Sequence, residues 1–173
     1  MIWRLFRRTT RPDALARWWR DADRAADAPS AAAVDRLAAA IGDSTEVDVI
    51  EQQEEMIEGL RHLKHVFALE NLPVLESQHR VIGADTCHFM APVTLAGQDT
   101  APGKLLLTSR RIIVVSGGVR SRPWHAIRRL SRSGRTVIAA SDDTILEVQC
   151  NSYGDALVAH HIASRLALGG RRS

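Results

Sequence analysis

The sequence predicts an α+β protein: a helical N-terminal region followed by an antiparallel β-sandwich that a C-terminal helix closes. Up to Pro73, alanine, leucine and arginine recur with the spacing of amphipathic helices. After Pro73, glycine and proline separate short segments rich in valine, isoleucine, leucine and threonine, which is typical of strands and turns. Helical spacing returns at the end of the chain. We therefore divide the chain into an α-helical region, 1–75, and a β-rich domain, 76–173.

Three helices are predicted in the N-terminal region. The first lies in RPDALARWWRDADRAADAP, where Pro12 suits a first helical turn and Pro29 a stop. The second begins at Ser30 and ends near Gly42, which is placed as a C-cap. The third runs over about 44–69.

An apolar stripe marks the third predicted helix. It consists of Met56, Leu60, Leu63 and Phe67, at spacings of 4, 3 and 4. An isolated helix is marginal in water, so the stripe needs a partner: the two shorter helices, the sandwich, or a second copy of the chain. We take these four residues as interface candidates, with a homo-oligomer through the N-terminal helices as one outcome.

The β-rich half predicts six strands and a weaker seventh. They lie near 87–95, 104–108, 111–116, 126–132, 135–140 and 144–150, with the weaker one near 78–82. The dipeptides at 133–134 and 142–143 are predicted hairpin turns. In the final helix, the spacing of Ser152 and Asp155 resembles a capping box.

Charge is unevenly distributed along the chain, although the net charge is only +3. Residues 1–82 carry 11 basic and 14 acidic side chains, whereas residues 83–173 carry 12 and 6. No acid lies between Asp99 and Asp142, and seven acids with no base lie between Asp43 and Glu58. This asymmetry indicates an anionic partner for the basic half, or docking of the two halves on each other.

Catalytic and metal-binding signatures are absent from the sequence. It contains no Gly-x-Ser-x-Gly, Walker A or Gly-x-Gly-x-x-Gly motif, so we expect neither an enzyme nor a cofactor. His62 and His65 lie three residues apart on a helix but lack the further ligands that a metal site needs. Cys87 and Cys150 are expected to be small buried thiols. No apolar run approaches the roughly 18 residues of a membrane span, and we expect a cytoplasmic protein.

The stretch GKLLLTSRRIIVVSGG, 103–118, together with RPWHAIRRL, carries a family resemblance. It resembles the pleckstrin-homology (PH) superfold, and more specifically its GRAM-like, bacterial PH-like branch. The matching residues are Gly103, Leu105, Leu107, Thr108, Arg111, Trp124 and Ile127. The resemblance covers about 85–168 and implies a binding or scaffolding module.

Two adjacent arginines interrupt the most apolar segment of the chain. The hairpin resemblance places Thr108-Ser109-Arg110 in a tight turn, with Arg110 solvated at its tip. Arg111 would then begin the next strand and bond backbone carbonyls or a carboxylate. The alternative is that the turn presents these arginines to an anionic ligand.

Anionic lipid is the ligand that the resemblance suggests. PH domains that bind phosphoinositides carry a basic cluster between their first two strands, whereas AGQDTAPGK here offers Asp99 and only Lys104. The following segments are richer in arginine. The candidates for anion or lipid binding are Lys104, Arg110, Arg120, Arg122, Arg128 and Arg129.

Several classes of partner remain open. We expect a protein or an anionic membrane surface, with peripheral attachment at the inner face of the membrane, to which MIWRLFRR could add an anchor. An alternative is a regulatory module whose acidic helix covers its own basic face. Nucleic acid is a weaker alternative, because Phe89 and Trp124 are the only aromatics that the β-strands and their connections offer for base stacking.

Overall fold

The computed structural model of the chain describes residues 11–41, 46–77, 79–95 and 102–169. Within these ranges, four α-helices and a seven-stranded antiparallel sheet confirm the α+β class. Gly42, the N-terminal MIWRLFRR and most of the loop from Ala96 to Lys104 lie outside the described residues.

Three helices form the N-terminal region, as predicted. They are α1 (Arg11–Asp27), α2 (Ala31–Ala39) and α3 (Val47–Ala68). The Ser30 hydroxyl accepts a hydrogen bond from the Ala33 N–H at 3.2 Å, which confirms the cap at the start of α2. The Trp18 indole N–H donates to the Leu37 carbonyl at 3.0 Å, and this bond fixes α1 on α2.

Seven strands follow, and a helix ends the described part of the chain. They are β1 (Cys87–Leu95), β2 (Gly103–Thr108), β3 (Arg111–Val115), β4 (Val119–Pro123), β5 (Arg129–Ser133), β6 (Thr136–Ala140), β7 (Ile145–Cys150) and α4 (Tyr153–Gly169). The spatial order is β4-β3-β2-β1-β7-β6-β5, with antiparallel neighbours throughout. Strands β4 and β5 are therefore the two edges. This order with a closing helix fits the α+β architecture that the sequence predicts.

Two strand predictions are wrong, for physical reasons. The weak strand at 78–82 is a 3₁₀ turn, Arg80–Ile82. Strand β4 is not among the predicted strands, because an edge strand that alternates arginine with serine carries little hydrophobic signal. The strand predicted at 126–132 begins only at Arg129, after a 3₁₀ turn that holds Trp124.

Helix α4 lies between two apolar cores. Its residues Ile162 and Ala163 pack with the inner faces of the strands and with Trp124. Leu157 instead packs with the helical core of α1, α2 and α3. The Ser152 hydroxyl accepts from the Asp155 N–H at 2.9 Å, which confirms the predicted helix start. The helical region is thus stacked on the closing helix of the sandwich.

A pair of glycines allows α3 and α4 to cross closely. A Cβ built on Gly59 would lie 2.4 Å from the Gly154 Cα, which is closer than side-chain atoms approach backbone. Both positions therefore require glycine, and the two helix backbones touch there.

We predict that Gly59→Ala lowers the free energy of unfolding by about 1 to 3 kcal/mol, although alanine is the better helix former. The added methyl meets backbone, which cannot rotate away as a side chain would. Gly118→Ala is the matched control, because its Cβ would meet nothing within 4 Å. Urea denaturation measures both. Equal stability of the two variants would contradict the close crossing.

Candidate functional site

The hairpin that carries the family resemblance is organised around one buried carboxylate. The Arg111 Nε donates to Asp85 Oδ2 at 2.9 Å, and the Asp85 side chain is only 5% exposed. The Arg111 guanidinium also reaches the carbonyls of Val81 and Ile82, each at 3.4 Å. Arg111 therefore has the structural role predicted for it: it ties the chain before β1 to the β2–β3 hairpin.

Arg110 lies at the tip of this hairpin, as predicted. Its side chain is 78% exposed, and its Nε lies 3.6 Å from Asp85 Oδ1. The Trp124 indole N–H donates to the Thr108 carbonyl at 2.7 Å from a buried position. These contacts show that the matching hairpin residues maintain the fold.

The structure divides the nine basic residues between Lys104 and Arg135 into two sets. Five lie within ion-pair distance of a carboxylate: Arg110 and Arg111 with Asp85, Arg128 with Asp142, Arg132 with Asp23, and Arg135 with Glu55. For the other four no carboxylate partner is found among the described residues: Lys104, Arg120, Arg122 and Arg129. The second set is the one open to an external anion.

Two of the paired arginines contact the acidic helical region. Arg132 on β5 pairs with Asp23 of α1, and Arg135 pairs with Glu55 of α3 at 3.1 Å. Glu55 also accepts from the Tyr153 N–H at 3.1 Å, so it satisfies a free donor at the start of α4. The helical region thus covers part of the basic surface through Arg132 and Arg135, neither of which is a predicted anion-binding residue.

Strand β4 combines arginine with exposed apolar side chains. Arg120 is exposed and Arg122 is partly exposed, with its Nε donating to Thr144 Oγ1 at 3.1 Å. Val119 is 56% exposed at the start of the strand, and Ile145 is 70% exposed next to Thr144. We call Arg120, Arg122, Thr144 and Ile145 the β4 edge surface; Val119 points to the opposite face of the strand.

The backbone of this edge is poorly suited to pairing with another strand. The Arg122 guanidinium already donates to the Ser121 carbonyl at 2.8 Å, and Pro123 has no N–H to offer. Charged side chains and proline on an edge strand are the usual protection against strand addition. The side chains of this edge, more than its backbone, are therefore available for contact.

The remaining basic candidates differ in their surroundings. Arg128 holds Asp142 through its Nε and a second guanidinium nitrogen, at 3.0 to 3.1 Å. This hydrogen bond, with the attraction between the charges, lowers the pKa of Asp142 and raises that of Arg128. Arg129 is exposed on β5. Lys104 lies apart from all of them, in a groove beside Arg80 and Met90.

The predicted interface stripe is largely buried within the chain. Met56, Leu60 and Leu63 have no exposed surface, because α1, α2 and Leu157 of α4 cover them. Phe67 is 48% exposed and contacts the His161 ring, with 5.4 Å between ring centroids. Three of the four stripe residues are therefore buried by contacts within the chain. These three have no exposed surface with which to bind a second copy.

Two buried thiols and a histidine pair have shifted pKa values. Burial raises the pKa of the Cys150 thiol to about 12 and also raises that of Cys87, so both remain protonated. Burial lowers the pKa of His161 to about 4, and the neighbouring charge of His160 adds to the shift. No group of three or more potential metal ligands occurs in the part of the chain that the structure describes.

None of the described helices is long and apolar enough to cross a bilayer.

No family model matches the sequence, and no curated protein matches it. Solved structures do match by shape. A chain from the ternary complex between human RhoA, its inhibitor and the DH/PH domain of human ARHGEF11 is 9% identical with a TM-score of 0.44, over 87% of this chain and 54% of that one. A chain from human RhoA in complex with the DH/PH fragment of PDZRHOGEF is 11% identical with a TM-score of 0.43, over 90% and 52%.

A third match comes from the FERM and C-terminal domain complex of Drosophila Merlin. It is 9% identical with a TM-score of 0.44, over 93% of this chain and 58% of that one. This chain therefore spans about half the length of the solved chains it matches.

We predict that Asp85→Asn lowers the free energy of unfolding by about 2 kcal/mol, because Arg111 loses its counter-charge while its other contacts remain. The loss is smaller than for a fully buried ion pair because the Arg111 side chain is partly exposed. Asp142→Asn is the matched control: its ion pair lies at the surface, so we expect no measurable change. Thermal melts that show equal effects of the two substitutions would contradict the role given to Asp85.

A second prediction concerns acid sensitivity. The pKa of His161 is lowered from 6.5 to about 4 in the folded protein. As the pH falls, His161 is therefore protonated in the unfolded chain before it is protonated in the folded protein. The stabilising contribution of neutral His161 is complete above about pH 6.5 and is lost as the pH falls toward 4. The difference in melting temperature between the parent and His161→Gln should therefore shrink between pH 7.5 and pH 4.5. A constant difference across that range would contradict the burial of a neutral imidazole.

Proposed function

We propose that this protein is a non-enzymatic binding module that attaches peripherally to anionic membranes through the β4 edge surface. One observation carries the proposal: Arg120 and Arg122, for which no carboxylate partner is found among the described residues, share one face of β4, and Arg122 donates to Thr144, the neighbour of the exposed Ile145. A GRAM-like member of the PH superfold acting at the cytoplasmic face of a membrane is consistent with the hairpin residues around Arg111.

The attachment would be the sum of several weak contributions to the binding free energy. Each basic side chain near an anionic bilayer contributes about 1 kcal/mol, and the contribution falls off within a Debye length. Exposed Ile145 would add apolar contact at the boundary between headgroups and acyl chains. Several weak contributions on one surface favour reversible attachment over permanent anchoring.

The alternatives are less well supported by the contacts. A protein partner that adds a strand to β4 would have to displace the Arg122 side chain from the Ser121 carbonyl and tolerate Pro123. Self-masking by the acidic helices is supported at Arg132 and Arg135, but the ion pairs there leave Arg120 and Arg129 uncovered. Membrane attachment therefore accounts for more of the exposed basic and apolar side chains than either alternative does.

Flotation with vesicles containing phosphatidylserine tests the proposal. The parent should float at 0.05 M salt and lose flotation as salt rises past roughly 0.15 M, where the Debye length is about 8 Å. Arg120→Glu with Arg122→Glu should weaken binding by at least about thirtyfold, the equivalent of roughly 2 kcal/mol.

The matched control is Arg61→Glu with Lys64→Glu, which makes the same change in net charge on the exposed face of α3. It should retain flotation, and all variants should keep the parent melting temperature. If the double variant is unstable, the flotation test uses Arg120→Glu alone, which leaves the Arg122 hydrogen bonds intact. No flotation of the parent at low salt, or equal loss in the α3 control, would refute the proposal in favour of a protein partner.

A further inference from the structure

A groove on the outer face of the sheet lies away from the β4 edge surface and has a composition of its own. One wall is the segment that precedes β1, with Ser77, His79 and Arg80. Val81 and Met90 supply apolar surface, and Lys104 of β2 also lines the groove. Lys104 is one of the predicted anion-binding candidates, whereas Arg80 is not.

The apolar floor continues a small core. Where the 3₁₀ turn Arg80–Ile82 covers the sheet, Ile82, Cys87, Leu106 and Ile113 are buried together. Met90, paired with Leu106 in the register of β1 and β2, lies beyond this cover and is 41% exposed. An aliphatic group bound over Met90 and Val81 would bury further apolar surface beside this core without a change in the fold.

The rim of the groove supplies the complementary charge. Arg80 and Lys104 are exposed, and neither lies within ion-pair distance of a carboxylate among the described residues. The Ser77 hydroxyl and the His79 ring add polar groups. Glu76 also lines the groove, so the described lining residues include two basic side chains, Arg80 and Lys104, and one acidic side chain. This balance suits a monoanion better than a dianion.

The wall is held in place before any ligand arrives. Arg111 donates to the carbonyls of Val81 and Ile82 and to Asp85, which fixes the segment carrying Arg80 relative to the hairpin. A site that is already ordered loses less conformational entropy on binding.

We propose that this groove binds a single-chain aliphatic carboxylate, such as a medium-chain fatty acid. The alkyl chain lies on Met90 and Val81, and the carboxylate pairs with Arg80 and Lys104. The ligand enters as a free molecule, so the site is independent of membrane attachment through β4.

Titration calorimetry with the full chain tests the site, with every probe kept below its micelle-forming concentration. Decanoate should bind saturably. Decyl phosphate should bind more weakly because of Glu76, and inorganic phosphate and decyltrimethylammonium should not bind. Arg80→Gln and Lys104→Gln should each weaken decanoate binding by about tenfold, as expected for loss of a charge-assisted contact.

Arg120→Gln is the matched control, since it removes an arginine from the β4 edge surface, and it should bind decanoate as the parent does. Met90→Asp should abolish binding and Met90→Leu should retain it, and melting temperatures close to the parent value show that the exposed position tolerates both. Equal binding of decyltrimethylammonium, equal weakening by Arg120→Gln, or no saturable decanoate binding would overturn the proposal. Its failure is distinguishable from failure of the membrane proposal, because flotation depends on Arg120 and Arg122 and decanoate binding on Arg80 and Lys104.

Discussion

At the crossing of α3 and α4, two glycines bring the helix backbones into contact, and the position of the N-terminal half depends on that contact. A Cβ at Gly59 would lie 2.4 Å from the Gly154 Cα, so larger side chains would force the helices apart. Close approach allows Met56 and Leu60 of α3 to share a core with Leu157 of α4. It also brings Glu55 within reach of Arg135 and of the Tyr153 N–H. The helices and the sandwich therefore share one continuous structural element, α4.

Contacts between residues far apart in the chain, such as the crossing of α3 and α4, set the limit of what could be predicted from the sequence. The hairpin around Arg111 was recognisable because its turn is made by sequence neighbours, with the Thr108 hydroxyl accepting from the Arg111 N–H at 3.1 Å. Its Asp85 partner, 26 positions away, could not be identified from the sequence. Strand β4 was not recognisable, because its ladder bonds come from β3 and its side chains are polar. The stripe on α3 showed which face would be buried, but helical spacing does not identify the partner, and Gly59 carries no signal until Gly154 is placed against it.

The ion pairs of the basic residues were likewise only partly predictable from the sequence. The excess of arginine between Lys104 and Arg135 was visible in the sequence, but its distribution into paired and unpaired residues was not. Arg132 pairs with Asp23, which is 109 positions away, and Arg135 pairs with Glu55 across 80 positions. These pairings depend on the docking of the helical region. The basic residues that remain open lie in two places with different chemistry: an edge where arginine accompanies exposed apolar side chains, and a groove with an apolar floor and a mixed-charge rim.

The contact of Glu55 with the start of α4 has a consequence for synthesis of the chain on the ribosome. Glu55 and Tyr153 are 98 residues apart, which corresponds to about 5 to 20 s of translation at typical elongation rates. During that interval the apolar face of α3 has left the ribosome, but the helix that covers it has not been made. Nascent α1, α2 and α3 must therefore remain soluble with Leu60 and Leu63 incompletely covered. The many acidic side chains on the opposite face of α3 give this intermediate a net negative charge that opposes its aggregation.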